Sequence, residues 1–339
     1  MPFSLKSCNL KSKKIPVAIC AALLLMTAYA GLALSQNPAA GQGGPGRPPG
    51  AGGGPGGGPG GAPRPIAVHP LKDGVYWTDG GPVSNTGIIV GTDGVILFDP
   101  KGTVEAGKQI IAEVAKLTDK PITTVIVSHS HPDHTRGLPA YSNVNIIAQR
   151  ETARQIELET FYMTWSATSA GDSTGADKPY LPLQVVDHRA DVKINGVRII
   201  LLHWTPAHTA GDLVAYLPDQ KIAFIGDMGI GGRFENGGSV EGSIQAMQGL
   251  LALDCDAFVS GHAPVRTHAD LQKTLDDGIA RRNKIVALWA SGKTLDEAEQ
   301  AMGEKVNPWP APIVAGLDMY RPGRNMNFTE EVYEELSRR

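Results

Sequence analysis

Apolar positions along this chain follow two periods, and the alternation between them outlines the fold. Residues 84–100 hold two apolar runs on either side of Asp93–Gly94, a dipeptide that favours a tight hairpin turn. Residues 103–119 then carry Ile110, Ile111, Val114 and Leu117 at helical spacing, and Pro121 ends the helix. Strands are predicted over 122–128 and 143–149, with a short helix over 151–159. Two more hairpins follow, over 191–205 turning at Asn195–Gly196 and over 212–227 turning near Pro218–Asp219. Helices over 239–253, 268–291, 294–302 and 329–336, with a strand over 256–262, complete the pattern. Strands that come in hairpins, with helices between the groups, predict an α/β fold. The architecture expected is a four-layer αββα sandwich, two sheets face to face with helices outside.

The first 65 residues do not share this pattern. Lys6, Lys11, Lys13 and Lys14 precede a low-charge apolar run from Ile15 to Leu34, which ends in small residues such as Ala33 and Ser35. Residues 1–35 therefore read as a secretory signal or, if uncleaved, an N-terminal membrane anchor. Residues 36–65 are rich in glycine and proline and have almost no side chain large enough to build a core, so they read as a linker. The expected organisation is then a catalytic domain over 66–291 and a C-terminal helical extension over 292–339. The predicted location is periplasmic or extracellular, or tethered to a membrane by an uncleaved segment.

Charge and cysteine content narrow the function. The formal charge of −3 becomes −7 without residues 1–35, which hold four lysines and no acid. A mildly acidic body does not suit a nucleic-acid backbone, so the expected partner is a small-molecule substrate. Cys255 is the one cysteine past residue 35, so no disulfide can form within the folded part.

The candidate chemistry sits where strands are predicted to end. His129, His131, Asp133 and His134 crowd together after an apolar run. His208, Asp227 and His262 follow, each at another strand end. Loops at strand ends can bring distant residues together. Five imidazoles and two carboxylates suit zinc, and also iron or manganese. Two metals that share a bridging carboxylate need roughly three protein ligands each, and this set supplies them.

The motif His129-x-His131-x-Asp133-His134, followed by His208, Asp227 and His262, resembles that of the metallo-β-lactamase superfamily. The resemblance covers roughly residues 70–270 and implies the αββα fold with metals at one sheet edge. It implies His129, His131 and His208 on a first zinc, Asp133, His134 and His262 on a second, and Asp227 between them. It further implies a bridging hydroxide as nucleophile, with Asp133 as the catalytic residue that orients it and carries a proton. Dedicated β-lactamases of this family carry Cys or Ser near the Asp227 position, whereas its esterase-like members keep the aspartate. The implied substrate is therefore an ester, thioester, lactone or related carbonyl, with lactam cleavage as a side activity. Two further readings within the family are a mononuclear-iron persulfide dioxygenase and a dedicated β-lactamase. A metal-holding module without catalysis is the reading outside enzymes. Residues 161–182 read as a long aromatic-bearing loop, in which Tyr162 and Trp165 are candidate substrate contacts. Arg136 and Trp204 flank the ligand motifs and are candidates as well. Nothing in the sequence sets the oligomeric state.

Overall fold

The computed structural model describes residues 65–80, 84–158, 184–230, 234, 237–304 and 326–339. The expectations for the N-terminal signal, the Gly/Pro-rich stretch to residue 64 and the 161–182 loop lie outside the described residues. Among the described residues, two sheets form. The first runs in the order β1 (Ala67–Lys72), β2 (Val75–Asp79), β3 (Thr86–Val90), β4 (Val95–Phe98), β5 (Ile122–Ile126), β6 (Asn145–Gln149) and β7 (Gln184–Val186). Its first four strands pair antiparallel, and β4 through β7 pair parallel. The second sheet contains β8 (Arg189–Ile194), β9 (Val197–Leu202), β10 (Val214–Leu217), β11 (Ile222–Gly226) and β12 (Ala257–Ser260), antiparallel except for β11 with β12.

Alternation along each strand separates three apolar layers. Ile89, Ile96 and Phe98 of the first sheet meet Ile199, Leu201, Ala215 and Phe224 of the second in the space between the sheets. The neighbouring residues Ile88, Val95 and Leu97 point to the opposite face, where Ile110 and Val114 of α1 (Val104–Leu117) cover them. Thr103 caps this helix by accepting from the Ala106 amide at 3.1 Å. A short helix, α2 (Pro132–Thr135), follows β5, and another over 150–158, α3, follows β6. Ile200, Leu202, Val214 and Tyr216 face outward from the second sheet. They pack in one cluster with α4 (Val240–Leu251), α5 (His268–Ala290), α6 (Leu295–Met302) and α7 (Phe328–Ser337). The order helix, sheet, sheet, helix is the expected four-layer sandwich.

Strands buried on both faces read as continuous apolar runs, which is why β4, β10 and β11 stand out in the sequence. The hairpins at Asn195–Gly196 and Asp93–Gly94 form as predicted, the first with both turn residues at positive φ, 48° and 81°. The structure adds three strands the pattern leaves unassigned. The hairpin of β1 and β2 mixes His69, Pro70 and Lys72 into its first strand, which blurs the period. β7 is only three residues long.

Candidate metal centre

β4, β5, β11 and β12 all end at one edge of the sandwich, because each sheet contributes a parallel pair there. The chain leaves β5 through Ser128 and enters α2, where Pro132 sets the first helical φ. That one turn brings His129, His131, Asp133 and His134 into a small space. The loop from β9 to β10 brings His208, the residue after β11 is Asp227, and the loop after β12 holds His262.

The side chains of these residues converge. His131 Nδ1 lies 3.0 Å from His129 Nε2 and 3.0 Å from His208 Nε2. His134 Nε2 lies 3.2 Å from His262 Nε2. His262 Nε2 is 3.1 Å from Asp133 Oδ2 and 3.1 Å from Asp227 Oδ2. The same Asp227 oxygen is 3.7 Å from His208 Nε2, so this carboxylate stands between the two groups of imidazoles. Among the described residues, three triads can hold an ion: His129–His131–His208, Asp133–His134–His262 and His129–His134–Asp227.

The donor set fits a metal on two counts. Ring nitrogens 3.0 Å apart can share at most one proton, so a cluster of them is stabilised by a shared cation. Asp227 Oδ1 is buried and makes no hydrogen bond among the described residues, facing His134 Nε2 at 3.4 Å. A Cβ at Gly261 would come within 2.1 Å of that oxygen, so the backbone itself forms one wall.

Residues 79–281 match the model of the metallo-beta-lactamase superfamily. The chain belongs to that superfamily. The matched stretch contains all seven candidate ligands. The chain is 24% identical over 277 residues to a linear primary-alkylsulfatase from Pseudomonas sp., a match that covers 69% of this chain and 51% of that protein. The chain thus spans about half the length of that relative. A hydroxyacylglutathione hydrolase from Brucella anthropi is 26% identical over 263 residues, 73% of this chain and 91% of its own. Among solved structures, the stereoselective inverting sec-alkylsulfatase Pisa1 from Pseudomonas sp. superposes with a TM-score of 0.58 at 17% identity, over 72% of this chain and 46% of its own. That likeness is one of fold.

In this superfamily member the candidate ligands are held from behind. Asp99, fully buried at the end of β4, accepts from the Ser128 amide and hydroxyl, both at 2.7 Å, and lies 2.8 Å from His134 Nδ1. Ser128 Oγ in turn lies 2.8 Å from His129 Nδ1. Asp99 thereby fixes the rings of two candidate ligands, as outer partners of metal sites do. Sequence reasoning missed it because an aspartate before Pro100 at a strand end looks like a turn residue; its left-handed φ of 62° is visible only in the structure. On the other side, Asp212 accepts from the Thr209 amide and hydroxyl and so shapes the turn that follows His208. His203 Nδ1 lies 2.8 Å from the Asp212 carbonyl, which gives it a place behind His208.

Electrostatics divide the imidazoles. Burial, reinforced by the neighbouring His134, holds His129 well below its ordinary range. Burial also lowers His131 and His208, against the pull of Asp227. Burial would lower His262 too, but its hydrogen bonds to Asp133 and Asp227 outweigh that and raise it to about 9. Burial would raise the Asp133 carboxyl, yet contacts from His134 and His262 hold it well below the usual carboxylate range.

Arg136 is exposed on the residue that caps α2. Trp204 packs its indole against Gly249 of α4, within the cluster outside the second sheet, so it is engaged in helix packing. Tyr162 and Trp165 lie outside the described residues. His69 lies 3.0 Å from Asp79 and stacks on Trp77, and His268 contacts the ring of Phe258.

Proposed function

We propose that this protein is an exported binuclear zinc hydrolase that cleaves an ester, thioester, lactone or related carbonyl substrate. The observation that carries this reading is the Asp227 carboxylate between two groups of imidazoles, 3.1 Å from His262 and 3.7 Å from His208. His129, His131 and His208 would hold one ion, Asp133, His134 and His262 the other, and Asp227 would touch both. When bound, such a pair supplies Lewis acidity and a deprotonated water at neutral pH. The carboxyl of Asp133 is held ionised at neutral pH and would orient the attacking water and carry a proton. No serine or cysteine nucleophile is needed.

The alkylsulfatase likeness supports a second substrate class, a sulfate ester, handled by the same ligand set. Export rests on the basic and then apolar pattern of residues 1–35. The substrate is a small molecule, in keeping with the acidic body.

Metal analysis of the purified protein tests the core of the proposal. About two zinc ions per chain are expected, with hydrolysis of at least one member of a panel of thioester, lactone, alkyl sulfate and chromogenic lactam. A single iron per chain, with oxygen uptake on a persulfide, would overturn it in favour of a dioxygenase. Cell fractionation tests export, and recovery with the cytoplasmic fraction would reject it.

A further inference from the structure

Lys101 is fully buried, an unusual state for an ammonium. Its backbone is left-handed, at φ 73°, a conformation that costs a side chain-bearing residue and persists where the surroundings impose it. Its Nζ donates to the carbonyls of Gly80, at 3.2 Å, and of Ser84. Burial lowers its pKa to about 8, with Asp79 and Asp99 pulling the other way. Its own carbonyl accepts from the Gly137 amide at 2.9 Å, just past α2. At Gly137 a Cβ would fall 1.9 Å from the Pro100 carbonyl oxygen, so the two segments are pressed together.

What Lys101 holds is the start of β3. Ser84 Oγ donates to the carbonyl of Asp133 at 2.6 Å. The Asn85 amide donates to the Gly261 carbonyl at 2.6 Å, and its side chain donates to the carbonyls of Ser260 and Ala263 at 2.8 and 3.0 Å. The backbone on both sides of His262 is therefore tied to Asn85, and the backbone at Asp133 to Ser84. Both loops that carry ligands of the Asp133–His134–His262 triad meet at two consecutive residues. The first of these loops also carries His129 and His131, but His129 is fixed at its start through Ser128 by Asp99. The loop that carries His208 is held by other groups: Thr152 donates to Gly211 at 2.7 Å, Ser239 to Ala207 at 2.8 Å, and Asp212 accepts from Thr209.

We propose that Lys101, Ser84 and Asn85 act as positioning residues for one of the two metal positions, that of Asp133, His134 and His262, and leave the position of His129, His131 and His208 unaffected. The inference rests on the two-metal reading.

The test is a zinc titration of the full chain, stripped of metal, in competition with a chromogenic chelator. His208→Ala and His262→Ala assign the two binding steps. Asn85→Ala and Ser84→Ala should weaken the step that His262→Ala removes by about ten-fold or more, the usual reach of outer partners of a metal site. The step that His208→Ala removes should stay within about two-fold. A general loss of structure would weaken both steps together, and that result, or no change in either step, overturns the proposal. Lys101→Met should act as Asn85→Ala does; if it fails to fold, the Ser84 and Asn85 variants decide. A wild-type chain that binds fewer than two ions overturns the two-metal reading itself, and this is seen before any variant is compared.

Discussion

Asp227 follows Gly226, whose φ of 54° turns the chain at the end of β11 and aims the carboxylate between two groups of imidazoles. On the two-zinc proposal, replacing it by alanine should lower bound zinc from about two ions per chain toward one and reduce hydrolysis by about a hundred-fold or more; elemental analysis and turnover on the best panel substrate check both. Gly261→Ala should have a similar effect by a different route, because its Cβ would collide with Asp227 Oδ1 at 2.1 Å and with His134 Cε1 at 2.7 Å. A Gly261→Ala protein that binds zinc as tightly as the wild type would contradict this. Protons compete with the metal. In the metal-free protein His262 is raised to about 9 and holds a proton below that pH. Burial would lower His134, in the same triad, yet Asp227 and Asp99 raise it well above its ordinary range. An incoming ion must displace both protons, so affinity should rise with pH from 7 to about 9, with proton release on binding at pH 7. Release measured in weakly buffered solution gives the sign directly. The candidate ligands are legible in the sequence because ligand types crowd at strand ends. Asp99, Ser84, Asn85 and Lys101 are not, since they act through backbone carbonyls, or on residues up to 178 positions away.

At the scale of elements, the sheets are legible where a turn dipeptide and an apolar run coincide, as at Asn195–Gly196 and Asp93–Gly94. The β1–β2 turn carries the same kind of signal at Asp73–Gly74, with Gly74 at φ 73°, but the polar residues of β1 hide the strand beside it. α2 escapes periodicity altogether, being a single turn of four residues. The contact between sheets depends on one small residue. Phe98 and Phe224 stack with centroids 5.6 Å apart, and Gly87 leaves room for the second ring. A Cβ at Gly87 would sit 2.4 Å from Phe224 Cε1. Gly87→Ala should therefore cost about 1–3 kcal/mol, the usual range for overpacking a core, as read from denaturant unfolding. Gly87→Ala with a Phe224→Leu partner should recover part of that loss.

For the molecule as a whole, the C-terminal helices share a core with the second sheet. Phe328, Val332 and Ala298 are buried in the cluster that includes Val214, Met247 and Leu271, and Arg281 lies 4.3 Å above the Phe328 ring. Phe328→Ala should cost about 3–5 kcal/mol, and unfolding should remain a single transition if α7 is integral to this layer. A loss under about 1 kcal/mol would show that it is dispensable. The sequence does not reveal this sharing, because amphipathic helices past residue 292 look alike whether they cover their own domain or another chain. The triads have a consequence of their own. Each takes one member from the second sheet's loops: His208, Asp227 or His262. The local motif at 129–134 completes none of them. A chain still folding therefore offers no finished cage, and capture must wait until the sheets have closed on each other. Which element the protein carries is then decided late, by whatever ion surrounds it at the place where its folding ends, and a chain that folds elsewhere would be charged differently.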